Sequence, residues 1–329
     1  MADLANEAAL LSGFEVRGRR SAALSWEAIK DGYSPAADGY AWIALNRHQE
    51  EAREWLRQHS RIPPLAVAAL LAEETRPRML RIGEGSVVIL RGVNLNPGAA
   101  PEDMVSVRFW FDAQRVISVQ LRRLKALSDT RRLLDQPETT PETAGGLLAS
   151  IAVRLVERME PVINDYRDKT DDLEEESIDR AGKDMRSRLG RLRRDAIILR
   201  RYIAPQRDVL NALAADPLAP FDDRTRLELR ETSDRVTRLV EDLEAVRDRA
   251  SVVSDQIVDQ RAEEMNRNMM ILSVVAAVFL PLGFLTGLLG INVGGMPGAD
   301  NPVAFWVVVF LCILLGGGLA VYFNRKGWL

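Results

Sequence analysis

The sequence contains few of the side chains from which disulfides, metal centres and active sites are built. It has one cysteine, Cys312, and two histidines, His48 and His59, among 329 residues. One cysteine excludes an intrachain disulfide, and the histidines do not stand at the spacing of a zinc finger or a zinc protease. Gly-rich phosphate loops and the Gly-x-Ser-x-Gly elbow are also missing. We therefore expect neither a cofactor nor an enzyme active site.

Charge is plentiful in most of the chain but nearly absent from its end. Charged residues make up 28% of the sequence and the net charge is −3, so there is no excess of positive charge for binding nucleic acid. Between Asn268 and Phe323, however, Asp300 is the only charged side chain. The chain therefore divides into a long charged part and an apolar end.

Residues 1–135 are predicted to form an α/β domain. Five apolar runs bounded by turn residues are typical of strands, and two stretches between them are typical of short helices. The strand candidates are Tyr40–Leu45, Met79–Ile82, Ser86–Val93, Met104–Phe111 and Val116–Leu121, and the helix candidates are Gln49–His59 and Leu65–Ala72.

The middle of the chain is predicted to be helical. Residues 146–215 favour an antiparallel helical pair, and residues 221–268 favour one long stalk helix that Asp222 or Asp223 caps. The stalk carries an apolar stripe at alternating spacings of three and four, which is the pattern of a coiled coil. The stripe consists of Leu229, Thr232, Val236, Leu239, Leu243, Val246, Ala250, Val253 and Ile257. We expect this stripe to bring copies of the chain together.

Two uncharged runs, residues 269–290 and 303–323, are each long enough to cross the ~30 Å hydrocarbon layer of a membrane. The connection 291–302 has no Lys or Arg, whereas basic residues precede the first run and occupy the tail 324–329. The positive-inside rule therefore predicts that both termini are cytoplasmic and that the connection is external, or periplasmic. Two helices cannot enclose a water-filled path, so ion conduction needs several copies around a common axis.

The first run ends with Gly290-Ile291-Asn292, and the connection continues with Met296-Pro297-Gly298. Here the chain resembles the CorA superfamily of divalent-metal transporters, in which Gly-x-Asn closes the first span and a loop with Met-Pro follows. The order of the segments is similar too. The resemblance implies an α+β cytoplasmic domain, a long stalk helix and two C-terminal transmembrane helices. It also implies that the protein is a homopentamer with the CorA-like funnel shape, a multi-pass protein of the bacterial inner (plasma) membrane with a central pore lined by its first span.

Within that superfamily the loop is similar to the ZntB branch of zinc transporters. Magnesium-transporting relatives commonly have Gly-Met-Asn and an acidic residue after Met-Pro, whereas this chain has Gly-Ile-Asn and then Gly298. The resemblance implies transport of zinc into the cytoplasm, and proton coupling belongs to this branch. One alternative is a magnesium, cobalt or nickel channel of the same architecture. An alternative of another class is a membrane-anchored coiled-coil scaffold that carries no ions.

The first span offers a metal ion no carboxylate, thiolate or imidazole, and neither does Gly290-Ile291-Asn292. Removing water from a divalent ion is costly, so we expect the ion to enter hydrated. Gly290, Ile291 and Asn292 are the candidate selectivity segment. In a ring of subunits, the Asn292 side chain and the Gly290 carbonyl would contact the water shell of the ion rather than the metal itself.

Counting back from Asn292 in helical steps predicts which face of the first span lines the pore, and the matching family positions imply the same face. This predicted pore stripe consists of Gly287, Gly283, Leu280, Ala276, Ser273, Leu272, Met269 and Asn266. Met269 and Leu272 are candidates for a hydrophobic constriction; the alternatives are packing within the chain and lipid contact. Further down, Asp259 and Asp255 are candidates for a ring that attracts cations; the alternative is an ordinary solvated helix face.

Overall fold

The computed structural model describes residues 4–73, 76–179, 184–217, 219–290, 298 and 301–328. These residues fall into two compact units, which divide between Ser254 and Asp255. The first unit contains all the strands, and the second contains the two apolar runs.

Seven strands form one mixed sheet in the first unit, in the order β2-β1-β3-β7-β6-β5-β4. The central pair β3 and β7 is parallel, and the other neighbours are antiparallel. The strands are β1 (Leu10–Arg17), β2 (Arg20–Ala23), β3 (Gly39–Asn46), β4 (Arg78–Ile82), β5 (Gly85–Gly92), β6 (Val105–Phe111) and β7 (Arg115–Gln120).

The five strands predicted from the sequence are present as β3 to β7, whereas β1 and β2 were not predicted. The missing signal has a physical reason. The first half of β1 is only partly buried and β2 is mostly exposed, so neither strand needs the continuous apolar run that marks the buried strands β3, β5 and β7. Gly13 also interrupts β1, and glycine lowers strand propensity.

Three short helices cover one face of the sheet, whereas the fourth short helix and the first two long helices cover the other. On the first face, Ile43, Trp55 and Leu70 belong to one buried core cluster. On the second face the backbones approach closely, because a Cβ added at Gly92 would lie 2.8 Å from Cδ2 of Leu155. The short helices are α1 (Trp26–Ile29), α2 (Glu50–Gln58), α3 (Pro64–Leu71) and α4 (Lys125–Leu133), and the long ones are α5 (Ala144–Asp179), α6 (Met185–Ala215) and α7 (Asp223–Leu289).

Asp222 caps the start of α7. Its Oδ1 accepts a hydrogen bond of 2.8 Å from the backbone N–H of Thr225, which satisfies one of the donors left free in the first turn of a helix. Hydrogen bonds from the Thr225 side chain and backbone lower the pKa of the Asp222 carboxyl. Of the two capping candidates named from the sequence, Asp222 is therefore the cap.

The apolar stripe of the stalk is buried within its own chain. Every one of its nine members is at most 5% exposed. Alongside it, Arg235 Nε donates to Glu160 of α5 at 2.8 Å, and Arg200 Nε of α6 donates to Glu244 at 2.7 Å. The prediction that this stripe brings copies together is therefore wrong, because α5 and α6 of the same chain pack beside it.

The second unit contains the end of α7 and the helix α8 (Ala304–Arg325). Both helices contain a stretch long and apolar enough to cross a membrane. Leu282 approaches α8, because a Cβ added at Gly316 would lie 3.3 Å from its Cδ1. The residues of α7 that are buried or half-buried in this stretch are Met270, Val274, Val278, Pro281, Leu282 and Leu285, and we call them the covered stripe.

Candidate functional site

The predicted pore stripe lies on the side of α7 that is turned away from the covered stripe. At about 100° per residue, the two stripes are centred about 150° apart around the helix axis. Met269, Leu272 and Leu280 are 54%, 70% and 74% exposed, and the other members of the predicted pore stripe are exposed as well. The structure thus brings these residues together on one uncovered face.

The exposure of this face excludes packing within the chain, which was one of the two alternatives to a hydrophobic constriction. Met269 and Leu272 do not pack within the described part of their own chain, because each is more than half exposed. Large apolar side chains are costly to leave in water, at about 25 cal/mol per Å². Lipid or further copies of the chain must therefore cover much of this face.

Two glycines of the predicted pore stripe are not required by packing within the chain. A Cβ added at Gly283 or at Gly287 would meet no atom within 4 Å. Packing within the single chain therefore does not explain why these two residues are glycines. It is the composition expected where helices approach each other closely or surround a narrow path.

Between Met269 and Leu289, the hydroxyl groups of Ser273 and Thr286 are the only side-chain oxygens of α7. The Ser273 hydroxyl donates to the Met269 carbonyl at 2.8 Å, and the Thr286 hydroxyl donates to the Leu282 carbonyl at 2.9 Å. Since each hydroxyl proton is used within the helix, the oxygen keeps lone pairs that can accept a hydrogen bond from water. Such groups can contact a hydrated cation without a charge of their own.

The end of α7 lies at the candidate selectivity segment. The Gly290 N–H donates to the Thr286 carbonyl at 2.9 Å, directly after the last helical residue, Leu289. The other two members of that segment, Ile291 and Asn292, lie outside the described residues.

Asp255 and Asp259 are exposed on α7 and form no ion pair with any described residue. Their negative charge is therefore not neutralised within the part of the chain that the structure covers. Among those residues, no three His, Cys, Asp or Glu side chains come together as a metal site. Asn266 is exposed one turn before Met269.

One residue on the uncovered face was missed. Met265 is 59% exposed and precedes Met269 by one helical turn. Met265 stands four residues before Met269, a spacing that places both residues on the same helix face. The sequence could therefore have indicated Met265, but the predicted pore stripe stopped at Asn266.

The sequence model described as "CorA-like Mg2+ transporter protein" matches residues 37–325 of the chain. The chain belongs to this CorA-like family. Its relatives include the divalent cation transporter CmaX of Pseudomonas aeruginosa, 43% identical over 295 residues, which are 88% of this chain and 87% of that protein. The zinc transport protein ZntB of Pectobacterium atrosepticum is 36% identical over 289 residues, which are 88% of each chain.

Solved structures of the CorA-like family have the same fold. The structure of full-length CmaX is 38% identical with a TM-score of 0.83 and covers 97% of this chain and 98% of its own. The CorA magnesium transporter of Methanocaldococcus jannaschii is 18% identical, with a TM-score of 0.82 over 96% of this chain and 98% of its own. The predicted fold class, an α/β domain followed by a long helix and a C-terminal apolar helix, is therefore confirmed. The homopentamer stays a prediction.

Proposed function

We propose that this chain is one subunit of a homopentameric transporter in the bacterial inner membrane. It carries divalent cations, and zinc in particular, into the cytoplasm through a central pore lined by α7. The observation that carries the proposal is the uncovered face of α7. This face is apolar, contains several small residues and has no charged side chain across the length of a membrane span. Membership of the CorA-like family supports a divalent cation as the cargo, and the zinc transport protein among the relatives supports zinc.

The ion passes the outer end of the pore with its water shell. The outer end of the path has no carboxylate to compensate for the loss of the inner water ligands of a divalent ion, whose desolvation is costly. The Gly290 carbonyl and the Asn292 carboxamide instead hydrogen-bond to the shell, and the Ser273 oxygen offers a further acceptor below them. This arrangement selects ions by the size and charge of their hydrated form.

The inner half of the pore is a constriction followed by an electronegative mouth. Copies of Met269 and Leu272 form apolar rings that close by excluding water, and Asn266 adds a polar ring beneath them. By the helical count, Asp255 falls within about 40° of the centre of the predicted pore stripe and Asp259 within about 80°. Asp255 is therefore the better candidate for the cation-attracting ring, and Asp259 is the second candidate.

The membrane potential is sufficient to drive uptake. A potential of roughly 100 mV, negative inside, favours inward movement of a divalent cation by ~4.6 kcal/mol. We infer from the positive-inside rule that these ends are cytoplasmic, because Arg261 and Arg267 precede the first span and Arg325 and Lys326 follow the second. The negatively charged mouth then faces the cytoplasm, where the ion leaves.

Flux into liposomes of the purified protein tests this function. We expect zinc influx well above that of protein-free vesicles, and faster zinc influx when a pH gradient supplies protons for coupling. Equal flux with and without protein would support a membrane-anchored scaffold. Influx of magnesium but not zinc would support a magnesium channel of the same architecture.

A further inference from the structure

Two methionines stand one turn apart on the uncovered face of α7. Met265 is 59% exposed and Met269 is 54% exposed, so neither side chain packs in a core of the described chain. The next methionine, Met270, is half-buried and belongs to the covered stripe. The same helix therefore carries two methionines on the uncovered face and one on the opposite side.

The thioether sulfurs are the only soft ligand atoms on this face. Magnesium prefers oxygen ligands and keeps its water, whereas thioether sulfur favours softer ions such as Zn²⁺ or Cu⁺. Between Asn268 and Gly290 the sequence has no charged side chain and no cysteine or histidine. On the uncovered face between Asn268 and Gly290, Met269 is therefore the only side chain that distinguishes soft from hard cations, and Met265 repeats its chemistry one turn earlier.

The position of the sulfurs suits a site of weak and brief contact. Met269 lies in the apolar constriction with Leu272, where few waters fit around the ion. There a thioether sulfur can take the place of one inner water of a cation that gives up water more readily than Mg²⁺ does. Methionine has three rotatable bonds and a polarisable sulfur, so the sulfur can turn toward the ion as water is lost. Weak contact is what conduction needs, because a tightly bound ion would not leave.

We propose that Met265 and Met269 form successive thioether rings that favour zinc and cadmium over magnesium in the pore. This inference rests on the pore proposed above, and it adds a soft-ligand step to a pore that otherwise selects by hydration. Met265 would meet the ion on the cytoplasmic side of the constriction, after Met269.

The double variant Met265→Leu and Met269→Leu tests the proposal directly. Leucine keeps a similar volume and an apolar ring, and such exchanges usually cost less than ~1.5 kcal/mol in stability. We expect the ratio of zinc flux to magnesium flux to fall about fivefold, as removal of a weak contact predicts. Met270→Leu is the matched control and should leave the ratio unchanged.

The outcomes separate this proposal from the pore itself. An unchanged ratio in a double variant that still conducts overturns the thioether proposal alone, whereas a wild-type protein without cation flux overturns both. If the double variant is inactive, NMR of the wild-type protein with ¹³C-methyl methionine tests directly whether the two thioethers contact the cation. The Met265 and Met269 methyl signals should shift with Cd²⁺ but not with Mg²⁺, while Met270 stays constant. Absence of such shifts contradicts the proposal.

Discussion

Replacing Asn292 with alanine is expected to reduce zinc influx into proteoliposomes by at least about tenfold. The carboxamide follows directly on the end of an uncharged span, and alanine cannot donate to or accept from the water shell of an arriving ion. Without that contact the ion meets only the Gly290 carbonyl before the apolar part of the pore. Initial rates of zinc influx, measured at equal protein density and membrane potential, check this prediction.

Asn301 provides a matched control for the loss of an asparagine in the same connection. Its Oδ1 accepts a hydrogen bond of 2.9 Å from the Val303 N–H, so its side chain is used at the start of α8. Asn301→Ala should therefore transport zinc at close to the wild-type rate. Equal loss of transport in the two variants would show that the effect comes from disturbing the connection and not from the Asn292 side chain.

Leu243→Ala is expected to lower the free energy of unfolding by about 2–5 kcal/mol, the usual range for a buried leucine. Leu243 is 1% exposed within the apolar stripe of the stalk, and truncation leaves a cavity between α7 and the helices of its own chain. Leu227→Ala on the same helix is the control. Leu227 is 56% exposed, so its loss should change stability by no more than about 0.5 kcal/mol.

The same variants distinguish packing within the chain from packing between chains. Because α5 and α6 of the same subunit lie beside the stripe, Leu243→Ala should lower the unfolding temperature in detergent without changing the number of subunits. Dissociation of the oligomer at an unchanged unfolding temperature would instead mean that the stripe joins copies of the chain.

The fold was predictable where burial leaves a regular pattern in the sequence. Strands β3 and β5 are buried on both faces and therefore appear as apolar runs, while the exposed strand β2 leaves no such signal. The stripe from Leu229 to Ile257 was correctly predicted as a packed face, but its partner was not. Periodicity identifies which side of a helix is covered and carries no information about what covers it.

In the candidate site, too, the sequence predicted which residues share a helix face. Counting in helical steps from Asn292 placed eight residues on one face of α7, and the structure leaves that face uncovered because α8 approaches from the other side. The fixed period of the helix made this possible. The count could not show where the uncovered face ends toward the start of α7, and so it left out Met265.

Reaction of single cysteines with a membrane-impermeant thiol reagent tests the central claim most directly. Cys312→Ser gives a background without cysteine. In it, Ala276→Cys and Leu280→Cys probe the predicted pore stripe, while Ile271→Cys and Val275→Cys probe exposed positions on other sides of α7. We expect reaction at positions 276 and 280 and protection at 271 and 275. Reaction at 271 and 275 with protection at 276 and 280 would contradict the proposed pore, because water would then follow a different face of the helix.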